Sequence, residues 1–255
     1  MLRQPNGLGD YGEYAELYDV GRVPFPDWMF HVLCKKAGIT YGVANRMRTV
    51  DVGCGTGVAT RQLVAAGFRD LHGIDIDPKM IAVARQRPCN PPFYHVETIE
   101  KIPFDDCRVV TAFGTLPWLT LPAFVNIWYM LRIGGLLFYG DEDCLESLPG
   151  EESLPGYARA KELRAEALKD WSPRESFEYH YQDIYDESRV DTFELSEEKA
   201  FAYKLSGSWQ NLVSLPERDE IREFYRGAIA RQAGATGKVK WRFKHSLMCG
   251  TKPAP

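Results

Sequence analysis

The chain has 255 residues, enough for one large α/β domain or one domain with an insertion. Apolar residues make up 45% and charged residues 26%, a globular balance that excludes a disordered chain. A net charge of −4 disfavours a nucleic-acid binder driven by bulk charge, and the longest apolar run, near residues 130–139, is too short for a bilayer and holds Arg132.

The opening MLRQPNGLGD carries no apolar run of the kind a secretory leader needs. Six cysteines (Cys34, Cys54, Cys89, Cys107, Cys144 and Cys249) are scattered with no C-x-x-C spacing, which points away from a zinc ribbon or redox dithiol. The expectation is a cytoplasmic protein with no metal, no membrane partner and no nucleic-acid partner.

In chain order, residues 48–53 form a β-rich run ending in glycine, and residues 58–66 read as a helix. A second strand at 71–75 ends in an acid. Residues 78–87 read as a helix, with Asp77 as N-cap and Pro78 at the first helical position. Strands are expected at 93–96, 109–113 and 136–140, with a helix at 122–131 before Gly134-Gly135. Strands alternating with short helices predict a parallel sheet with right-handed crossovers.

The second half differs in character. Residues 151–171 read as a polar helix, 177–185 as an aromatic strand, 196–209 as mixed, 218–232 as an amphipathic helix and 238–249 as a last strand. The material after the fifth strand reads as a cap over the sheet's carboxyl edge. The expected division is an N-terminal helical segment closing the site (1–45), a core (46–145), a substrate-facing cap (146–215) and the final helix and strand (216–255).

The chemistry concentrates in Asp51-Val52-Gly53-Cys54-Gly55-Thr56-Gly57, at the join of the first strand and first core helix. Ligands of open parallel sheets bind at that edge. Glycines permit a sharp turn and close backbone approach, and the following helix offers free N–H groups. The dinucleotide pattern G-x-G-x-x-G would need glycine at position 58, where Val58 stands. Asp75 ends the second strand, where a carboxylate can bind a ribose diol.

Here the sequence resembles the class I S-adenosylmethionine-dependent methyltransferases of small-molecule type. DVGCGTG is similar to their first motif and GIDIDPKM to their second; residues 97–118 resemble the stretch from the adenine-binding loop through strand four, and the LRIGGLL segment the turn before strand five. Residues 18–26 are similar to the N-terminal segment of the trans-aconitate methyltransferase-like group. The resemblance implies a Rossmann-like seven-stranded sheet, mostly parallel with the last strand antiparallel, helices on both faces and a cap inserted after strand five. It implies S-adenosyl-L-methionine as cofactor and S-adenosyl-L-homocysteine as product. It assigns the cofactor to Asp51, Gly53, Gly55, Gly57, Asp75, Ile76, Met80, Thr98, Ile99 and Phe113. Thr98 stands where relatives often carry an acid, and Pro117-Trp118 where many carry His-Trp.

Tyr18, Arg22, Trp118 and Trp209 are the expected substrate contacts, Arg22 by a bidentate fork to a carboxylate. Tyr11, Tyr14, Phe25, Trp28, Tyr179, Tyr181 and Tyr185 are further candidates for aromatic walls that exclude water, and His180 is a candidate base. Asn90-Pro91-Pro92-Phe93 spells an amide-holding methyltransferase motif but precedes strand three, so it reads as a turn. Residues 238–244 alternate basic and apolar, a pattern that fits a strand with one solvated face, although the resemblance would place that strand inside the sheet. The expected activity is methyl transfer to a small molecule, at oxygen of a carboxylic acid or phenol. An N- or C-methyltransferase of a natural-product pathway, or a cofactor-binding chain without transfer, are the alternatives; the chain could be a monomer or a homodimer.

Overall fold

The computed structural model describes residues 11–115, 118–167, 173–207 and 211–255. A seven-stranded sheet organises the molecule. Its strands are β1 (Thr49–Val52), β2 (Leu71–Asp75), β3 (Phe93–Val96), β4 (Cys107–Phe113), β5 (Leu131–Cys144), β6 (Gln182–Ser196) and β7 (Lys238–Thr251). They lie in the order β3-β2-β1-β4-β5-β7-β6. β7 runs antiparallel to both neighbours, and the pairs from β3 to β5 are parallel.

The helices are α1 (Ala15–Gly21), α2 (Asp27–Ala37), α3 (Val58–Ala66), α4 (Pro78–Gln86), α5 (Leu121–Met130), α6 (Tyr157–Ala167), α7 (Pro173–His180), α8 (Glu197–Leu205) and α9 (Leu215–Ala233). α4 begins as its sequence dictates: Pro78 needs no N–H, and Asp77 Oδ1 accepts from Lys79 N at 2.8 Å. β1 is buried along its whole length, as a central parallel strand must be.

Two apolar layers sandwich the sheet. On one face Met29, Phe30 and Leu33 of α2 and Leu63 of α3 pack on Val109, Leu136 and Phe138. On the other, Phe124, Ile127 and Met130 of α5 and Phe177 of α7 pack on Val50, Val110 and Leu137. A third core joins the far end of the β6–β7 pair, through Val239, Trp241 and Phe243, to Leu205 of α8 and Ile221, Tyr225 and Ile229 of α9.

Two expectations change, and a third point is resolved. Residues 173–180 are helical, and the strand begins only at Gln182. Phe177 and Tyr181, four apart, are buried, whereas Tyr179 between them is 86% exposed; that spacing is helical. The 146–215 segment is therefore not a cap alone, because it supplies β6, the edge strand. Finally, the basic face of β7 needs no interior partner. β5 pairs with β7 as far as Phe243, with one further backbone bond from Leu145 N to Arg242 O, so residues 238–241 run on with β6 alone. Lys238, Lys240 and Arg242 face solvent, and two of them meet acids: Lys238 with Glu194 at 2.6 Å and Arg242 with Glu146 at 2.7 Å.

Candidate functional site

The site begins at the bend between β1 and α3. Gly53, Gly55 and Gly57 all have positive φ, at +64°, +55° and +81°. Side chains are sterically excluded as well: a Cβ on Gly53 would lie 2.2 Å from the Thr115 side chain, and one on Gly57 2.4 Å from the Tyr94 hydroxyl. The bend is thus left-handed three times over and packed from outside.

Two carboxylates flank it. Asp75, at the carboxyl end of β2, accepts from Gly55 N at 2.9 Å and from Asp77 N at 2.9 Å, which ties β2 to the bend. Asp51 is 1% exposed and accepts from Thr60 Oγ1 at 2.6 Å and Thr111 Oγ1 at 2.8 Å. Burial pushes its carboxyl up to about 6 against the pull of those two hydroxyls. Cys54, in the bend itself, is buried beside both acids, and its thiol is pushed far above the ordinary range.

The bend opens onto a cavity of about 400 Å³. Asp51, Gly53 and Phe113 line it, and so do Tyr18, Arg22 and Trp118. Tyr11 and Phe25 add to its aromatic wall. Gly55 sits just outside, with Met80 Cε 3.2 Å and Tyr18 Cε1 3.8 Å from where its Cβ would be. Asp75 and Met80 lie against the bend, and neither they nor Ile76, Thr98 and Ile99 are on the cavity wall. Ile99 is 2% exposed and packs in the core with Val52 and Ile74, and Thr98 precedes a single 3-10 turn.

Several candidates fall elsewhere. Tyr181 packs in the core under α5. Tyr185 packs against the α2 face and Tyr179 is at the surface. His180 stands 6.0 Å from Phe124 and 6.0 Å from Trp128, on the α5 side. Asn90–Phe93 forms a turn entering β3, at the opposite edge of the sheet from β6. Trp209 and Pro117 lie outside the described residues.

Arg22 is on the cavity wall, but already committed. Its Nη1 donates to Glu142 Oε1 at 3.3 Å, and its guanidinium lies 4.4 Å over the Tyr18 ring and 5.7 Å from that of Tyr203. Burial works against the charge, and the neighbouring Tyr18 and Glu142 outweigh it and raise its pKa. A second cation, Lys204, is held by Glu151 at 2.9 Å, with Tyr225 donating to the same carboxylate at 2.8 Å. Neither Glu142 nor Tyr203 nor the Glu151 group was singled out in the sequence. The one legible signal was the acid run Asp141-Glu142-Asp143 at the end of β5, on the sheet edge where ligands bind.

A glycine bend between β1 and α3, an acid at the tip of β2 and the order β3-β2-β1-β4-β5-β7-β6 together define a Rossmann-like methyltransferase fold. Residues 50–139, from β1 into β5, match the family described as methyltransferase domain. A curated relative, a malonyl-[acyl-carrier protein] O-methyltransferase of Bacillus anthracis, is 33% identical over 118 residues. That match covers 44% of this chain and 43% of the relative, so the chain matches less than half of that protein's length. Among solved structures, a phosphoethanolamine N-methyltransferase 2 of Haemonchus contortus in complex with S-adenosyl-L-methionine aligns at a TM-score of 0.55 and 16% identity, over 96% of this chain and 57% of that one. A candidate type II methyltransferase of Anaeromyxobacter dehalogenans aligns at 0.59 and 18%, over 91% and 99%. At these identities the likeness establishes the fold. Among the described residues, no helix is long and apolar enough to cross a membrane, and no group of three or more His, Cys, Asp or Glu could hold a metal ion.

Proposed function

We propose that this chain is a methyltransferase that takes its methyl group from S-adenosyl-L-methionine and transfers it to an oxygen of a small molecule, a carboxylic acid or a phenol. The observation that carries this is the left-handed glycine bend, flanked by Asp51 and Asp75 and opening onto an aromatic cavity. The residues fit the cofactor. A cation near Asp51 would relieve the cost of burying that carboxylate, and the sulfonium compound carries an ammonium. Gly53 and Gly57 hold the bend in its left-handed shape, Gly55 leaves its backbone open to a ligand, and Asp75 would take the ribose hydroxyls. Met80, Ile76, Ile99 and Thr98 would border the adenine, and Phe113 the pocket floor. When bound, the cofactor supplies an electrophilic methyl carbon, so the chain's own work is alignment and exclusion of water. Tyr18, Trp118, Phe25 and Phe113 do the second, and α1 with the residues before it closes the site.

The curated relative's name, an O-methyltransferase, supports oxygen as acceptor atom. The six free cysteines support a reducing, cytoplasmic setting. The test is incubation with methyl-labelled cofactor and a metabolite extract. Label in small molecules is expected; saturable binding without transfer would make the chain a cofactor-binding protein instead.

A further inference from the structure

The carboxyl ends of β1 and β4, neighbours in the sheet, are joined at one side chain. Thr115 stands two residues past β4 and is 4% exposed. Its Oγ1 donates to the Gly53 carbonyl at 3.0 Å and to the Phe113 carbonyl at 3.1 Å. A hydroxyl carries a single hydrogen, so the two carbonyls share it. The approach depends on glycine: a Cβ on Gly53 would lie 2.2 Å from Thr115 Cγ2 and 2.4 Å from Oγ1. Gly53 is therefore required twice, once for its positive φ and once to admit this side chain.

The backbone of Thr115 serves the other half of the site. Its carbonyl accepts from Trp118 N at 2.8 Å, which folds the chain back and sets Trp118 on the cavity wall. Gly114 N donates to Gly140 O at 2.7 Å and anchors the same stretch to β5. From Trp118 the contacts continue. Tyr11 meets it edge-on at 6.5 Å, Tyr18 meets Tyr11 edge-on at 5.4 Å, and Tyr18 Cε1 lies 3.8 Å from the Cβ position of Gly55. The circuit leaves the glycine bend at Gly53 and returns to it at Gly55.

Resting on the methyl-transfer reading above, we infer that Thr115 is a positioning residue that couples the two halves of the site. Its hydroxyl holds the bend in the shape that takes the cofactor, and its carbonyl sets Trp118, a wall of the acceptor cavity, in register with that bend. The hydroxyl cannot follow Gly53 without moving the backbone on which Trp118 hangs, so occupancy of the bend is felt at the indole. The coupling is reciprocal: whatever holds Trp118 on the wall favours cofactor in the bend by the same factor. Without the hydroxyl the competent bend is only a fraction of the population, and the apparent Kd rises as the inverse of that fraction.

The test uses the full chain and S-adenosyl-L-homocysteine, with affinity read by calorimetry. The indole is read as the difference in emission between each protein and the same protein carrying Trp118→Phe, because the chain has six tryptophans. In the wild type the ligand binds and shifts the Trp118 emission. Thr115→Val keeps the branched shape and removes the hydroxyl; it should weaken binding roughly tenfold and abolish the Trp118 shift at saturating ligand. Thr115→Ser keeps the hydroxyl and should restore both. If the valine variant is unfolded by circular dichroism, Thr115→Ala takes its place with the same expectations. Wild-type affinity together with an intact Trp118 shift in the variant lacking the hydroxyl overturns the proposal. So does a serine variant as weak as the valine one, which would assign the effect to the Cγ2 methyl. Weakened binding with a full Trp118 shift at saturation, or a wild type that binds without any shift, overturns the coupling. Failure of the wild type to bind the ligand at all removes the methyl-transfer reading itself.

Discussion

Asp51 shows what a single buried group can decide. Its carboxyl is raised to about 6 because burial disfavours the charge more than the Thr60 and Thr111 hydroxyls restore it. A ligand ammonium beside it favours the ionised form, so binding releases a proton wherever Asp51 is protonated. Affinity for S-adenosyl-L-homocysteine should therefore be flat above about pH 7 and fall by up to roughly tenfold per pH unit below about 6, as calorimetry across that range would read. Asp51→Asn should abolish that dependence and weaken binding at neutral pH. In the free chain the sign is opposite. A raised native pKa means the folded state holds the proton more tightly, so this group's contribution to stability is greatest below its ordinary pKa near 4 and declines as pH rises towards 6. The identity of Asp51 and the glycines was plain in the sequence, because a bend that needs three positive φ values leaves no other residue there. Glu142 was not. Its meaning depends on the packing that brings Arg22 to the end of β5, and no local pattern encodes a contact across 120 residues.

At the scale of elements, α8 serves as the post on which the site's wall is hung. α1 crosses it so closely that a Cβ on Gly21 would lie 2.4 Å from the backbone nitrogen of Tyr203. Gly21→Ala should push the helices apart, costing roughly 1–3 kcal/mol. It should displace Tyr18 and Arg22 with them, so a lowered melting temperature should come with weaker S-adenosyl-L-homocysteine binding. The other side of α8 carries Lys204, whose ion pair with Glu151 pins the 146–154 segment against α9 through Tyr225. Glu151 side-chain exposure is 6% and that of Lys204 is 10%, so removing one partner strands a buried charge. Glu151→Ala should cost about 3–5 kcal/mol in urea unfolding, and the double change Glu151→Leu with Lys204→Met much less. A deficit as large in the double variant would show that the carboxylate matters for its hydrogen bonds from Leu148 and Tyr225 rather than for its charge. Elements were legible where burial is two-sided. β1, β2 and β4 stand out as apolar runs, whereas β6 has few buried residues along its fifteen and presents charges, as an edge strand does. Its sequence therefore resembles loop more than sheet.

For the whole molecule the question is how the site is closed. The three cores divide the labour unequally: two sandwich the sheet and the third fixes α8 and α9, but α1 meets α4 through a small cluster of Ala15, Met80 and Val83 with Tyr11 and Tyr18. Apart from its crossing with α8, what remains on that side is electrostatic. Asp19 pairs with Arg61 at 3.0 Å and with Arg87 at 2.7 Å, and Glu16 with Arg87 at 3.3 Å. A helix whose α4 side rests on a small cluster and on ion pairs at a partly exposed boundary opens at lower free energy than the sheet does. Salt weakens exposed pairs, since the screening length drops from about 10 Å at 0.1 M to about 3 Å at 1 M. Amide hydrogen exchange over residues 12–21 should thus be faster than over β4 and should quicken further at high salt, while β4 barely responds. S-adenosyl-L-homocysteine should reverse this. Gly12 packs on the Asp77 carboxylate, next to Asp75, and Tyr18 lies over Gly55, so a ligand seated in the bend would touch the helix that covers it. Ligand at about 100 times its Kd stabilises the bound state by about 2.7 kcal/mol, equivalent to roughly a hundredfold slower opening of any segment that must move to release it. Protection of residues 12–21 by that order would mark α1 as the closing element. Protection confined to residues 53–57 and 75–77 would mean that ligand enters and leaves without moving α1, and that the N-terminal segment is a fixed wall.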